Sequence, residues 1–488
     1  MARLRGFEPL TYGFVVRRSI QLSYRRLSTT AHYSNKDRPR PQCCAAAPRL
    51  MLAALVALGL VAGAGPAVRA QEAAAAEAAS HPPRVIEQPY AEPLGARIAR
   101  APARVVLFPF EELGDAMEGG LKAAEEHRVL QRVASIQRQL VSDGLFPRFG
   151  GLPTGSGFGG GLTWLRPLNG VLGASLELDA SGSFGHYLLT SLEAQWPPLP
   201  EEALSSGILN DPRPFFLKLG GGYDSLPRED FFGLGNTTRE QDRSDYKLVE
   251  RSAWAGAEAR VGPGLQLDAA LGTTSSGVTS GTDPRFPDLG EAFDRDAIPG
   301  GSGSKLLTAG VALRGTWLDR PGLPRRGLAL EALVSSSRSQ SGAHFDFTSY
   351  EVHARGYLPL GDPDRVLAAR FHGVFVDPAG DSSVPFYMMP TLGGSEDLRG
   401  FRERRFRAPN LSVVNLEYRN ALHPAFQLAL FLDAGMVAER AADLELGDFH
   451  ASYGVGWRFT SASGTFFRID VGFSHEATRV WFKFGAPF

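Results

Sequence analysis

The stretch Phe426-Gln427-Leu428-Ala429-Leu430-Phe431-Leu432-Asp433 puts Phe426, Leu428, Leu430 and Leu432 on one parity, and Phe431 and Asp433 on the other. Successive side chains of a β-strand point to opposite faces, so this period of two predicts a strand and not a helix. Neighbouring segments repeat the pattern. Phe467, Ile469, Val471 and Phe473 alternate with Arg468 and Asp470. Tyr453, Val455, Trp457 and Phe459 alternate with Gly454, Gly456, Arg458 and Thr460. Near the end, Val480, Phe482 and Phe484 face away from Trp481 and Lys483.

One apolar face and one charged or glycine face suit a strand with lipid on one side and a polar lumen on the other. A soluble β-sandwich also alternates, with its apolar face buried and its polar face wet. Strands of about 10 residues, aromatic residues near strand ends and an export signal favour the membrane alternative. Fifteen strands can be placed between residue 157 and the terminus, and a weaker candidate at Leu145–Gly150 makes sixteen. The expected fold is all-β: a 16-stranded antiparallel transmembrane β-barrel over 144–488, preceded by a short periplasmic helix. Tight turns such as Val261-Gly262-Pro263-Gly264 alternate with long loops at 225–245, 274–302 and 376–410. Short periplasmic turns and long external loops are the usual asymmetry of such barrels.

Mean hydropathy is −0.13, which excludes a protein built from many membrane helices. One apolar run, Met51 to Val68, ends in Gly and Pro, and Val68-Arg69-Ala70 offers a cleavage site. Residues 51–70 are therefore read as a signal peptide. Residues 1–50 stand too far ahead of that core and are read as an extension before the true start. Both cysteines, Cys43 and Cys44, lie there, so disulfides and thiolate metal sites are not expected in the exported part. Residues 71–110, rich in Ala, Glu and Pro, are read as a disordered periplasmic lead. In 111–143, Val129, Val133, Ile136 and Leu140 form one stripe of an amphipathic helix. Residues 1–70 hold 11 of the 51 Lys and Arg but 2 of the 52 Asp and Glu. The remainder is acidic and carries no electrostatic footprint for nucleic acid.

Upstream of the last strands runs Gly393-Gly394-Ser395-Glu396-Asp397-Leu398-Arg399-Gly400-Phe401, a glycine-rich, charged loop that carries one arginine to a defined place. Downstream, Phe431-Leu432-Asp433-Ala434-Gly435 has the form Phe-x-Asp-x-Gly. With these two motifs, 144–488 resembles the BamA/TamA-type outer-membrane assembly-factor superfamily, whose barrel domain is also called bacterial surface antigen. The resemblance implies that the loop folds back into the lumen. Arg399, Gly400 and Phe401 then form a lumen anchor, and Phe431, Asp433 and Gly435 its partner on the barrel wall. It also implies that Phe488 is a C-terminal signal for the barrel-assembly machinery. Residues 71–143 do not resemble the polypeptide-transport-associated domains that precede such barrels.

Other signals are weaker. Phe231-Phe232-Gly233-Leu234-Gly235-Asn236 is similar to a loop element of these barrels, and Asp319-Arg320 to a turn. Glu417 and Arg419, beside Asn415, are expected in a hydrogen-bonded ladder on the wall. No nucleophile elbow, His-Glu-x-x-His or phosphate loop is present, so no enzyme activity, cofactor or metal is expected. His353 and His372 are the one histidine pair to examine as a metal site. The implied work is insertion or translocation of protein or lipid at the outer membrane. The implied partners are outer-membrane lipids and unfolded outer-membrane or exported proteins, or lipid cargo. The alternative is a passive pore or structural barrel plugged by the 376–410 loop.

Overall fold

The computed structural model describes residue 140 and residues 143–488, except 150–155, 157–158, 169–172, 201–212, 321, 424 and 462–463. The expected extension (1–50), signal peptide (51–70) and lead (71–110) lie outside the described residues. Of the expected helix at 111–143, Leu140 is described as helical and Asp143 as part of a turn.

The first strands are β1 (Leu145–Phe149), β2 (Gly159–Leu168), β3 (Ala174–Ser183), β4 (Leu188–Trp196), β5 (Phe215–Phe231) and β6 (Ser244–Gly262). Next come β7 (Leu265–Ser280), β8 (Gly303–Leu318), β9 (Gly327–Ser339), β10 (Phe347–Leu360) and β11 (Asp362–Pro378). Two short pieces, β12 (Thr391–Leu392) and β13 (Phe406–Arg407), pair with each other inside a long loop. The chain ends with β14 (Asn410–His423), β15 (Phe426–Ala438), β16 (His450–Ser461), β17 (Gly464–Phe473) and β18 (Thr478–Phe484).

Apart from that short pair, the strands form one 16-stranded sheet in chain order, with every neighbouring pair antiparallel. β1 and β18 stand at its two ends, and no ladder joins them among the described residues. At one end of the strands the connections are tight, as at 263–264 and Gly361; at the other they are long, as at 232–243, 281–302 and 379–409.

The polarity of the sheet is inverted relative to a soluble protein. On β15, Leu430 and Leu432 are 52% and 49% exposed, while Asp433 between their neighbours is 0% exposed. On β17, Arg468 and Asp470 are buried. On β18, Val480, Phe482 and Phe484 are exposed. The period of two seen in the sequence thus sorts apolar side chains to the outer face and charges to the inner one.

The long loop 379–409 lies on that inner face. Val384, Phe386, Tyr387, Met388 and Met389 pack in a cluster with Leu189, Leu226, Tyr246, Val278, Leu306 and Phe347, drawn from β4 to β10. Leu392, Leu398, Phe401 and Phe406 pack with Val374, Leu411, Val413 and Val437 of β11, β14 and β15. A loop that touches both halves of one sheet requires that the sheet curve around it.

Candidate functional site: the Arg399 loop and its acidic wall

The loop reaches the wall because its backbone is free to bend and to come close. Gly393 and Gly394 have φ of 115° and 99°, a left-handed region that side chains disfavour. Gly400 lies directly against β17: a Cβ there would come within 2.7 Å of Ser474 Cβ, and one on Gly472 within 2.4 Å of the Arg399 carbonyl oxygen. Two glycines back to back bring Arg399 to the floor of the inner face.

Strand register prepares what Arg399 meets. Asn415 lies opposite Asp433, and Asp433 opposite Ser452. Arg399 Nε donates to Asp433 Oδ2 at 2.9 Å and Nη2 to Oδ1 at 2.7 Å, a bidentate pair. Its backbone N–H also donates to Asp433 Oδ2, at 3.1 Å. Nη1 donates to Glu417 Oε2 at 2.8 Å. The guanidinium lies over the Phe431 ring, 3.4 Å from its centroid, and Trp481 Nε1 donates to the Arg399 carbonyl at 2.7 Å.

The partners are themselves held. Asn415 donates to Asp433 at 2.9 Å. Glu417 accepts from Arg419 at 2.9 Å and from Arg458 at 3.1 Å. Asp470 accepts from Arg458 at 2.6 Å and from Arg468 at 2.8 Å. Arg468 reaches on to Glu396 in the loop. Arg370 Nη1 donates to Asp397, to Asn415 and to the Glu396 carbonyl. Five arginines therefore meet five carboxylates in one buried network, and the charges balance. Such a network fixes the loop through directed bonds, since moving one member strands its partners. Desolvation pulls the Arg399 pKa down, but Asp433 and Glu417 more than offset this and raise it above the ordinary value. The guanidinium stays charged.

Residues 294–486, which contain β8 to β18, match the Omp85 superfamily domain. Over 170 residues the chain is 27% identical to the outer membrane protein assembly factor BamA of Nitratidesulfovibrio vulgaris (strain Hildenborough). That alignment takes in 32% of this chain and 21% of the relative, so the chain spans about a fifth of the curated protein it matches. Among solved structures, BamA from Haemophilus ducreyi lacking POTRA domains 1–3 superposes with a TM-score of 0.50 at 14% identity. The match covers 70% of this chain and 68% of that one, and it shows a shared fold. CdiB from Escherichia coli gives a TM-score of 0.43 at 12% identity, over 70% of this chain and 60% of that one.

The fold brings together Arg399, Gly400, Phe431 and Asp433. Phe401 is buried one turn away, with ring centroids 5.6 Å from Phe406 and 5.3 Å from His475. Gly435 lies further along β15, where a Cβ would meet Leu392 Cδ1 at 3.0 Å. Phe488 is elsewhere. It lies beyond β18 on the inner side, buried against Tyr357, Val366 and Ala368. There Arg419 stands 5.2 Å over its ring and donates to its backbone oxygen at 3.3 Å. A cation over the ring and an apolar floor account for the inward turn.

Sequence reasoning placed Glu417, Arg419 and Asn415 on the wall but did not join Asp470, Arg458, Arg468, Arg370 and Trp481 to the site. The available signal was parity, since Arg458, Arg468 and Asp470 share the inward parity of Asp433. The loop element Phe231–Asn236 also has a place. Gly235 N–H donates to the Arg407 carbonyl at 2.7 Å, and Asn236 accepts from Val437 N–H at 3.1 Å.

Proposed function

We propose that this chain is an outer-membrane β-barrel that inserts or translocates other proteins, its sheet closed by bringing β18 beside β1. The carrying observation is the inverted polarity of a sheet that ends in an Omp85 domain: apolar Leu430, Leu432, Val480 and Phe482 outside, charged Glu417, Asp433 and Asp470 buried inside. A hydrocarbon surround accepts that outer face and requires backbone groups to be paired within the protein. The two sheet ends support a yielding seam. β1 pairs over five residues with β2, and β18 over seven with β17. Short, unpaired edges can accept an incoming strand through main-chain hydrogen bonds. The assembly-factor role carried in the name of the relative from N. vulgaris supports the same class of work here.

The test is the protein and lipid composition of the outer membrane after depletion of this chain. Selective loss of other outer-membrane barrels is the expected result. An unchanged membrane would overturn the reading in favour of a plugged structural barrel. The placement of loop residues 384–409 on the inner face, most of them buried, favours that second reading. A purified protein that conducts ions freely once Arg399 is replaced by Ala, with no membrane phenotype on depletion, identifies it.

A further inference from the structure

A second convergence of ligand-type side chains lies on the inner face, bordering the Arg370 end of the Arg399 network. Glu351 and His353 are two residues apart on β10, and His372 pairs with His353 across the β10 and β11 ladder. Glu351 and His372 are buried and His353 is half-buried. The two imidazole rings stack with centroids 3.8 Å apart. The Nε2 atom of each lies 3.0 Å from the same oxygen, Glu351 Oε1. One ligand atom from each of the three residues falls within 4.8 Å of the others.

We infer that Glu351, His353 and His372 bind a divalent transition-metal ion of the zinc type. Two imidazole nitrogens and one carboxylate oxygen form a donor set suited to zinc and its neighbours, whereas magnesium and calcium take oxygen donors. Ligands about 2.0–2.2 Å from a tetrahedral zinc stand roughly 3.3–3.6 Å apart. The 3.0 Å separations here need to open by only a few tenths of an ångström, and a water completes the shell. The cross-strand pairing fixes both rings before the ion arrives, so little side-chain freedom is lost on binding.

Hydrogen bonding without a metal uses the same three atoms, so the ion must displace the protons on Nε2. The proton of His372 then sits on Nδ1, which faces Arg370 Nη2 at 3.4 Å. That contact is long and can yield, because Arg370 is held through Nη1 by Asp397, Asn415 and the Glu396 carbonyl. The same arginine links the site to the Arg399 loop.

The folded full chain, purified in detergent and stripped with a chelator, is titrated calorimetrically with zinc chloride, with magnesium chloride as the control. The expected result is one zinc per chain, weakened at least about tenfold in H353Q and in H372Q, and no magnesium binding. His353 is the least buried of the three, so H353Q is the variant expected to keep its fold, with E351Q as the second. Absence of saturable zinc binding in the wild type, or binding unchanged in H353Q and E351Q, overturns the site.

Discussion

Arg399 holds a full charge at 1% exposure because the wall supplies carboxylates in the geometry a guanidinium needs. Taking away either partner leaves the other buried and unpaired, at a cost of about 3–5 kcal/mol. R399D or D433R alone should therefore lower the unfolding free energy measured in urea by an amount in that range. The double variant R399D/D433R should recover part of the loss. Recovery is incomplete because Glu417, 2.8 Å from Arg399 Nη1, then faces an acid at position 399. Strictly additive losses in the double variant would sink the pairing. Arg399 and Asp433 were legible in the sequence because one sits in a glycine-rich loop and the other on an inward parity within a recognisable motif. Asp470, Arg458 and Arg468 were not, although their parity was right. Which inward charges meet depends on the register between β16 and β17, and alternation within one strand does not encode register.

At the scale of elements, strands were readable and the long loop was not. Alternation alone marks β15, β16, β17 and β18, since each has one apolar face. Even β1, five residues long, was visible as a weak strand at Leu145. Loop 379–409 has no period, and its inward path was foreseen through the family resemblance rather than through its composition. What fastens it near the strand ends is a set of ion pairs with the 232–243 loop. Glu240 accepts from Arg402 and, at 3.0 Å, from Arg479 of β18. Burial pushes the Glu240 carboxyl upward, but the bonds and charges of Arg402 and Arg479 outweigh it and hold the pKa below the usual 4.5. A carboxylate with a depressed folded-state pKa contributes stability above its unfolded value and loses it as pH falls through the folded one. Acidification from pH 4.5 downward should therefore release the 232–243 loop from residues 402 and 479. Hydrogen exchange of residues 232–243 should rise over that window in the wild type, and E240Q should show the faster exchange already at neutral pH. Exchange that is flat with pH and indifferent to E240Q would remove this clasp from the account.

At the scale of the whole molecule, the strand count was legible and the closure was not. Sixteen follows from counting alternating segments, but whether β18 meets β1 depends on curvature accumulated over every strand and on edges too short to show a preferred partner. The contacts of loop 379–409 with both halves of the sheet argue for curvature, because Phe386 packs with Tyr246 and Phe231 while Phe401 packs beside Leu411 and Val413. A closed, hydrogen-bonded cylinder has no free edge from which a detergent can peel strands. Closure therefore predicts that unheated protein migrates faster on a denaturing gel than boiled protein. The Arg399 network adds a second, separable expectation. R399A should keep the fast band at room temperature but lose it at a lower temperature than the wild type, since the loop braces the curved sheet without forming its ladders. A single band that ignores heating would argue against closure itself. A fast band whose melting ignores R399A would keep the barrel but deny the loop its bracing role, leaving the buried charge network as a lock on the loop alone.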